Sequence, residues 1–166
     1  MAIAQISSRI GDVQHNAEKH LRLMEEAEAE GADVVVFPEL SLTGYVLRDL
    51  AYEVARPCRE AVRRMVGEGP KVTSVIGFVE EVRDGVLRNS AAVIGSGRLM
   101  AVIPKFYLPT YGLFEEARYF APGDPLRDVR VIDAPFGRMG VAICEDLWHP
   151  EPAEALVRMG AELLVC

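Results

Sequence analysis

Three residues able to share one acyl-transfer reaction, Glu39, Lys105 and Cys144, each stand just beyond a short apolar run. Glu39 follows VVVFP, Lys105 follows AVIP and Cys144 follows GVAI. A thiol attacks a carbonyl only as thiolate, so it needs a base or a cation beside it. A carboxylate can take the proton, and a lysine ammonium can stabilise charge developing on a carbonyl oxygen. Together they suit cleavage of an amide through a thioester. Each residue alone also has a plain structural reading. A Cys after an apolar strand is commonly a buried core thiol, and an isolated Glu or Lys beside a loop is commonly solvated. Their shared position weighs against that reading, because ligands of α/β sheets gather at the carboxyl ends of strands. Strand ends in a common sheet would bring the three together.

The elements that must place them alternate short apolar runs with segments of helical period, the pattern of an α/β protein. Ala2 to Ile6 reads as a strand. Asp12 or Asn16 can cap a helix running to about Glu30, with Ala17, Leu21 and Met24 on one face and Gly31 as its stop. Asp33 to Phe37 (DVVVF) is a strand of the fully buried kind, ended by Pro38. A second helix is expected over Asp49 to Val66. Residues 72–81, 87–94 and 99–103, separated by glycine turns, read as an antiparallel meander. From Phe106 to Arg127 no clean period is visible, and a loop that long inside a domain is usually functional. Val129 to Asp133 and Arg138 to Ile143 form a further strand pair. A helix from Pro150 or Pro152 to about Met159 and a strand over Glu162 to Cys166 complete the series.

The composition narrows the function. The 166 residues fit one domain, 1–166, with a sizeable core. A net charge of −7 opposes nucleic acid and anionic membrane surfaces. The three cysteines, Cys58, Cys144 and Cys166, have no paired spacing, which favours a reducing cytoplasm over a disulfide framework. Neither a signal peptide nor a membrane-length apolar run is apparent. His15 and His20 read as residues of a surface helix whose spacing of five forms no metal clamp, and His149 reads as structural. No cluster has metal-ligand spacing, so no metal is expected. Gly95-Ser96-Gly97 reads as a hairpin turn. Cys58 and Cys166 read as inert thiols.

Longer motifs surround the three reactive residues. FPELSLTGY at Phe37–Tyr45, PKFYLPTYGLFEEARYF at Pro104–Phe120 and GVAICEDLW at Gly140–Trp148 resemble, in order and separation, the three signature segments of the nitrilase superfamily of carbon-nitrogen hydrolases. That resemblance implies a four-layer α-β-β-α sandwich. It also implies that Glu39 is the general base, Lys105 the transition-state lysine and Cys144 the nucleophile. A second glutamate near the lysine is implied as well, Glu116 fitting that place better than Glu115. The backbone N–H of Glu145 would join Lys105 at the oxyanion.

LTGY after the Glu and CEDLW around the Cys are most similar to the glutaminase branch found in glutamine-dependent NAD synthetases. In that branch, residues matching Tyr45 and Tyr111 lie at the glutamine pocket. Packing of the long loop is their alternative role. Arg118 is expected in a buried ion pair that shapes the loop. The branch implies release of ammonia from glutamine without metal or organic cofactor, ATP being used only in a synthetase domain absent from this sequence. A homo-oligomer is also implied.

Superfamily members continue through further strands and helices, so the chain is expected to be the N-terminal portion of the sandwich, incomplete at its C-terminus. Two alternatives stay open: a stand-alone amidase acting on another small amide or carbamoyl compound, and a non-catalytic fragment that needs its missing half.

Overall fold

The computed structural model describes residues 1–166. In chain order the elements are β1 (Ala2–Ile3), α1 (Val13–Ala29), β2 (Val34–Val36), α2 (Leu50–Glu68), β3 (Thr73–Arg83), β4 (Val86–Gly95), β5 (Arg98–Pro104), α3 (Glu116–Tyr119), β6 (Val131–Ala134), β7 (Gly137–Val141), α4 (Pro150–Arg158) and β8 (Leu163–Val165), with a 3-10 turn over Cys144–Trp148 between β7 and α4. β1 is shorter than expected, because Ala4 is the last residue to bond β2 (Ala4 N to Val36 O, 2.9 Å). The loop between β5 and β6 contains only the four residues of α3 as helix.

Two sheets form. The first has strand order β1-β2-β3-β4-β5, the second β6-β7-β8. β1, β2 and β3 run parallel, and the β3-β4-β5 meander is antiparallel. β5 therefore points the same way as β2, and the carboxyl ends of the two strands share one edge of the sheet. In the second sheet β7 pairs antiparallel with β6 and parallel with β8.

The core divides accordingly. Helix α1 is capped by Asp12, whose carboxylate accepts the His15 N–H at 3.1 Å, and it buries Val13, Ala17, His20, Met24 and Ala27. Together with α2 (Val54, Cys58, Val62, Met65) it covers one face of the five-stranded sheet. The opposite face, through Val34, Val75, Val93 and Ile103, packs on Ile132, Met139, Val141 and Val165 of the second sheet. Helix α4 lies on the outside of that sheet, with Leu156 against Gly140. The layers therefore stack α-β-β-α, the sandwich that the resemblance implies.

Three expectations change here. Asn16 is not the cap: it is buried, and its amide donates to the Arg9 and Leu42 carbonyls at 2.8 and 2.9 Å. His20 is not on the surface. It is fully buried, stacked on Phe37 at 4.2 Å and bonded through Nε2 to Ser41 Oγ at 2.9 Å. Burial pulls its pKa from 6.5 down to about 4, the Asn16 carbonyl opposing that effect only in part. The unfolded chain therefore takes up this proton before the folded one does. Stability is whole above about pH 6.5 and declines as the pH falls towards 4, by up to about 3 kcal/mol. Thermal melts of His20→Gln against the parent are expected to converge as the pH is lowered across that window.

The third change concerns the sheets. Glu39 and Lys105 leave the five-stranded sheet, whereas Cys144 leaves the other. The three meet across the sandwich, not within a common sheet.

Candidate active site

Glu39 is held by a tight turn packed on β3. Leu40 has the left-handed φ of 48°, the Leu42 N–H donates to the Gly77 carbonyl at 2.9 Å, and Ser8 Oγ donates to the Ser41 carbonyl at 2.6 Å. Gly77 makes this close approach feasible. A Cβ there would lie 2.6 Å from the Pro38 carbonyl oxygen and 2.8 Å from the Glu39 carbonyl carbon, both rigid backbone. Gly77→Ala is thus expected to push the Glu39 turn off the sheet. It should cost about 1–3 kcal/mol and lower kcat by more than the stability loss accounts for, as calorimetry and steady-state assay of the purified variant would read.

Lys105 directly follows β5, with its side chain wholly buried. Its ammonium donates to Glu39 Oε1 at 2.6 Å and to Glu116 Oε1 at 2.7 Å, which leaves one of its three N–H bonds uncommitted. Burial works against the charge. The Glu39 charge and the hydrogen bonds to Glu116 and Glu39 outweigh it, and the pKa is raised. Glu116, at the start of α3, is almost as buried and also accepts a hydrogen bond from the Tyr45 hydroxyl. Glu115 instead faces solvent, 3.9 Å from Arg118. Glu116 is therefore the glutamate placed on Lys105. Arg118 forms no buried ion pair: its side chain is two-thirds exposed and lies over the Tyr119 ring.

Cys144 begins the 3-10 turn after β7 with φ 47°, a left-handed conformation rare outside glycine, and its side chain is exposed. Burial, the Glu39 charge and a hydrogen bond to Glu39 raise the thiol pKa, against a smaller pull from Lys105. The resting sulfur is a neutral thiol next to a carboxylate. It needs that carboxylate to become nucleophilic.

Two residues that sequence reasoning missed complete the arrangement. Asn89 on β4 is buried, and its Nδ2 donates to Glu39 Oε1 at 2.7 Å and towards Glu116 Oε2 at 3.4 Å. Both Lys105 and Asn89 thus engage Oε1 of Glu39, and neither bonds its Oε2. The amide oxygen of Asn89 is buried without a partner, a cost usually of about 1–3 kcal/mol. An apolar side chain of the same size would spare the fold that cost. Asn89→Leu is expected to melt close to the parent while kcat falls about 10- to 100-fold, the value of a hydrogen bond to a charged group.

The second is Asp146, fully buried, which accepts N–H bonds from Ile143 at 3.0 Å and from Phe106 and Tyr107 at 2.9 Å each. One carboxylate therefore ties the residue before Cys144 to the residues after Lys105. Burial raises its pKa in spite of those donors. The only sequence signal for either residue is its place in a motif: Asn89 begins the strand segment NSAAVI, and Asp146 is the Asp of CEDLW.

Of the expected substrate contacts, Tyr45 joins the Glu39–Lys105–Glu116 cluster through Glu116, and burial followed by that bond pushes its phenol well above the ordinary range. Tyr111 is exposed and donates to Glu145 Oε2 at 2.8 Å. Both tyrosines meet Phe114 edge-on, at 6.1 and 5.4 Å. His149 stacks on Tyr107 at 3.6 Å and lies 3.8 Å from Glu145. No group of three or more His, Cys, Asp or Glu side chains is arranged to hold a metal ion, and no helix is long and apolar enough to cross a membrane.

Comparison with known proteins agrees with this architecture. Glutamine-dependent NAD(+) synthetase of Thermotoga maritima is 35% identical over 164 residues, which cover 96% of this chain and 28% of that protein. The same enzyme of Xylella fastidiosa (strain Temecula1) is 38% identical over 171 residues, covering 99% and 30%. The chain thus spans about 30% of the length of the curated relatives it matches. The structure of glutamine-dependent NAD+ synthetase from Acinetobacter baumannii, in complex with ADP, superposes with a TM-score of 0.90 at 32% identity, covering 98% of this chain and 31% of that one. An amidase from Nesterenkonia sp. shares the fold, with a TM-score of 0.82 at 24% identity over 98% of this chain and 61% of its own. The carbon-nitrogen hydrolase family model matches residues 1–166, and the chain belongs to that family.

Proposed function

We propose that residues 1–166 form a glutamine-amidohydrolase unit that releases ammonia through a Cys144 thioester, as the ammonia-supplying part of a glutamine-dependent NAD synthetase. The observation that carries the reading is the meeting of Glu39, Lys105 and Cys144 across the two sheets in a chain 35% identical to such a synthetase.

Glu39 takes the Cys144 proton on its free oxygen as the sulfur attacks the side-chain amide carbon. The remaining N–H of Lys105 and the backbone N–H of Glu145 receive the oxyanion. Collapse of the tetrahedral adduct breaks the carbon–nitrogen bond, and the proton held by Glu39 passes to the leaving nitrogen as ammonia departs. Water, deprotonated by Glu39, then attacks the thioester, giving glutamate and returning the proton to sulfur. Glu116 keeps Lys105 charged and in place throughout. Every step is served by a side chain or backbone N–H, so the reaction calls for no metal or organic cofactor, and ATP use belongs to the synthetase partner domain. Tyr45, bonded to Glu116, and Tyr111, bonded to Glu145, are with Glu145 the residues assigned to the glutamine pocket.

A second reading, an amidase acting on another small amide, draws on the likeness to the Nesterenkonia fold. Ammonia release measured with glutamine, asparagine and simple aliphatic amides separates the two. Glutamine is expected to lead in kcat/KM by at least about tenfold. A lead for an aliphatic amide would overturn the glutaminase assignment and establish the second reading.

A further inference from the structure

Cys166 reads from sequence as an inert thiol, yet its position is next to the nucleophile. β7 and β8 pair in parallel with Val141 opposite Val165, and the Ala142 N–H donates to the Val165 carbonyl at 2.9 Å. Cys166 therefore follows β8 beside Ala142, on a strand about 4.8 Å away. Cys144 is two residues beyond Ala142, where the positive φ turns the chain back from the strand direction. Both thiols are exposed, and both line one small cavity together with Glu39 and Asn89. Burial raises the Cys166 thiol pKa, the Cys144 backbone N–H opposes that rise, and Cys166 is in turn among the influences that raise the Cys144 pKa. Cys58 has no such access: it is fully buried in the helical layer.

We infer that Cys144 and Cys166 form a reversible disulfide, with Cys144 the site of attack by a hydroperoxide and Cys166 the resolving thiol. Glu39 takes the Cys144 proton, and Lys105 lies near enough to favour the resulting thiolate. The sulfur attacks the peroxide oxygen, breaking the O–O bond to give a sulfenic acid and, for hydrogen peroxide, water. The Cys166 sulfur then attacks the sulfenic sulfur, loses its proton and expels a second water. In total two thiols and one hydrogen peroxide give one disulfide and two waters, the thiols supplying both electrons. A dithiol reverses the step by taking the bond into its own disulfide. The bond would stop hydrolysis by removing the nucleophile, and would spare Cys144 from irreversible oxidation. Only this effect on hydrolysis rests on the amidase reading.

The test treats the full polypeptide with one to two equivalents of hydrogen peroxide, blocks free thiols with iodoacetamide and maps tryptic peptides by mass spectrometry. Cleavage after Arg138 and Arg158 puts Cys144 on the peptide Met139–Arg158 and Cys166 on the peptide that starts at Met159. The expected product is those two peptides joined with loss of two hydrogens, separable by dithiothreitol. In Cys166→Ser the joined species is absent and Cys144 advances to the sulfinic acid, which dithiothreitol does not restore. Sulfinic Cys144 beside fully alkylatable Cys166 in the parent would overturn the inference, as would a link to Cys58. The mapping needs no catalytic activity, so it stands even if glutamine proves not to be a substrate. Loss and dithiothreitol recovery of ammonia release, run in parallel, test the regulatory consequence.

Discussion

Cys144→Ala is expected to abolish ammonia release, lowering kcat by at least about 10⁴-fold, the scale on which removal of a covalent nucleophile is felt. The reason lies in how little else at the site can replace it. The nearby carboxylates are committed to Lys105, Asn89 and Tyr45. The fold should hardly register the change. The Cys144 side chain is exposed, and alanine has the same Cβ to accommodate at φ 47°. Cys144→Gly sharpens the test, because glycine relieves a backbone conformation that costs about 1–3 kcal/mol in other residues. It should be as inactive as the alanine variant and should melt at or above it. Hydrolysis persisting undiminished in either protein would remove Cys144 from the mechanism.

The sequence made the reactive residues visible because each follows a short apolar strand, and strand ends are where an α/β fold collects chemistry. It also showed most helices and strands to within about two residues, since glycines and prolines punctuate them, with Gly31, Pro38 and Pro104 at or just past element ends; β1 is shorter than it read, and α3 gave no signal. The partition of the strands into two sheets was not legible. Buried strands of either sheet read as the same uninterrupted apolar run, so Glu39 and Cys144 looked like neighbours in one sheet although they face each other from two. Polar residues buried by tertiary packing were hidden for a related reason. His20 sits four residues before Met24 on the inner face of α1, and only the packing of Phe37 and Ser41 against it makes that face its own. Asn89 and Asp146 look like ordinary strand and turn residues until β4 and the long loop bring carboxylates and N–H groups to them. Cys166 is the sharpest case, because its setting depends wholly on the parallel register of β7 and β8.

Glu39→Gln is expected to separate acidity from catalysis at the thiol, and so to test the base assignment independently of the nucleophile. Burial raises the Cys144 pKa first, the negative charge of Glu39 raises it further, and Lys105 pulls it down. The amide substitution removes the second influence and leaves the third. The thiolate is then easier to form, so the midpoint of iodoacetamide alkylation against pH should fall relative to the parent. At a fixed pH below both midpoints the variant is alkylated faster. Hydrolysis should move the other way, by about 10²- to 10⁴-fold, because a glutamine side chain can neither accept the thiol proton during attack nor deliver one to the departing ammonia. A parent-like alkylation midpoint would show that Glu39 exerts no field at the sulfur. A midpoint that falls while hydrolysis stays intact would place the general base elsewhere in the site. Faster alkylation with slower hydrolysis is the signature of a carboxylate that opposes the resting thiolate and serves the reaction by moving its proton.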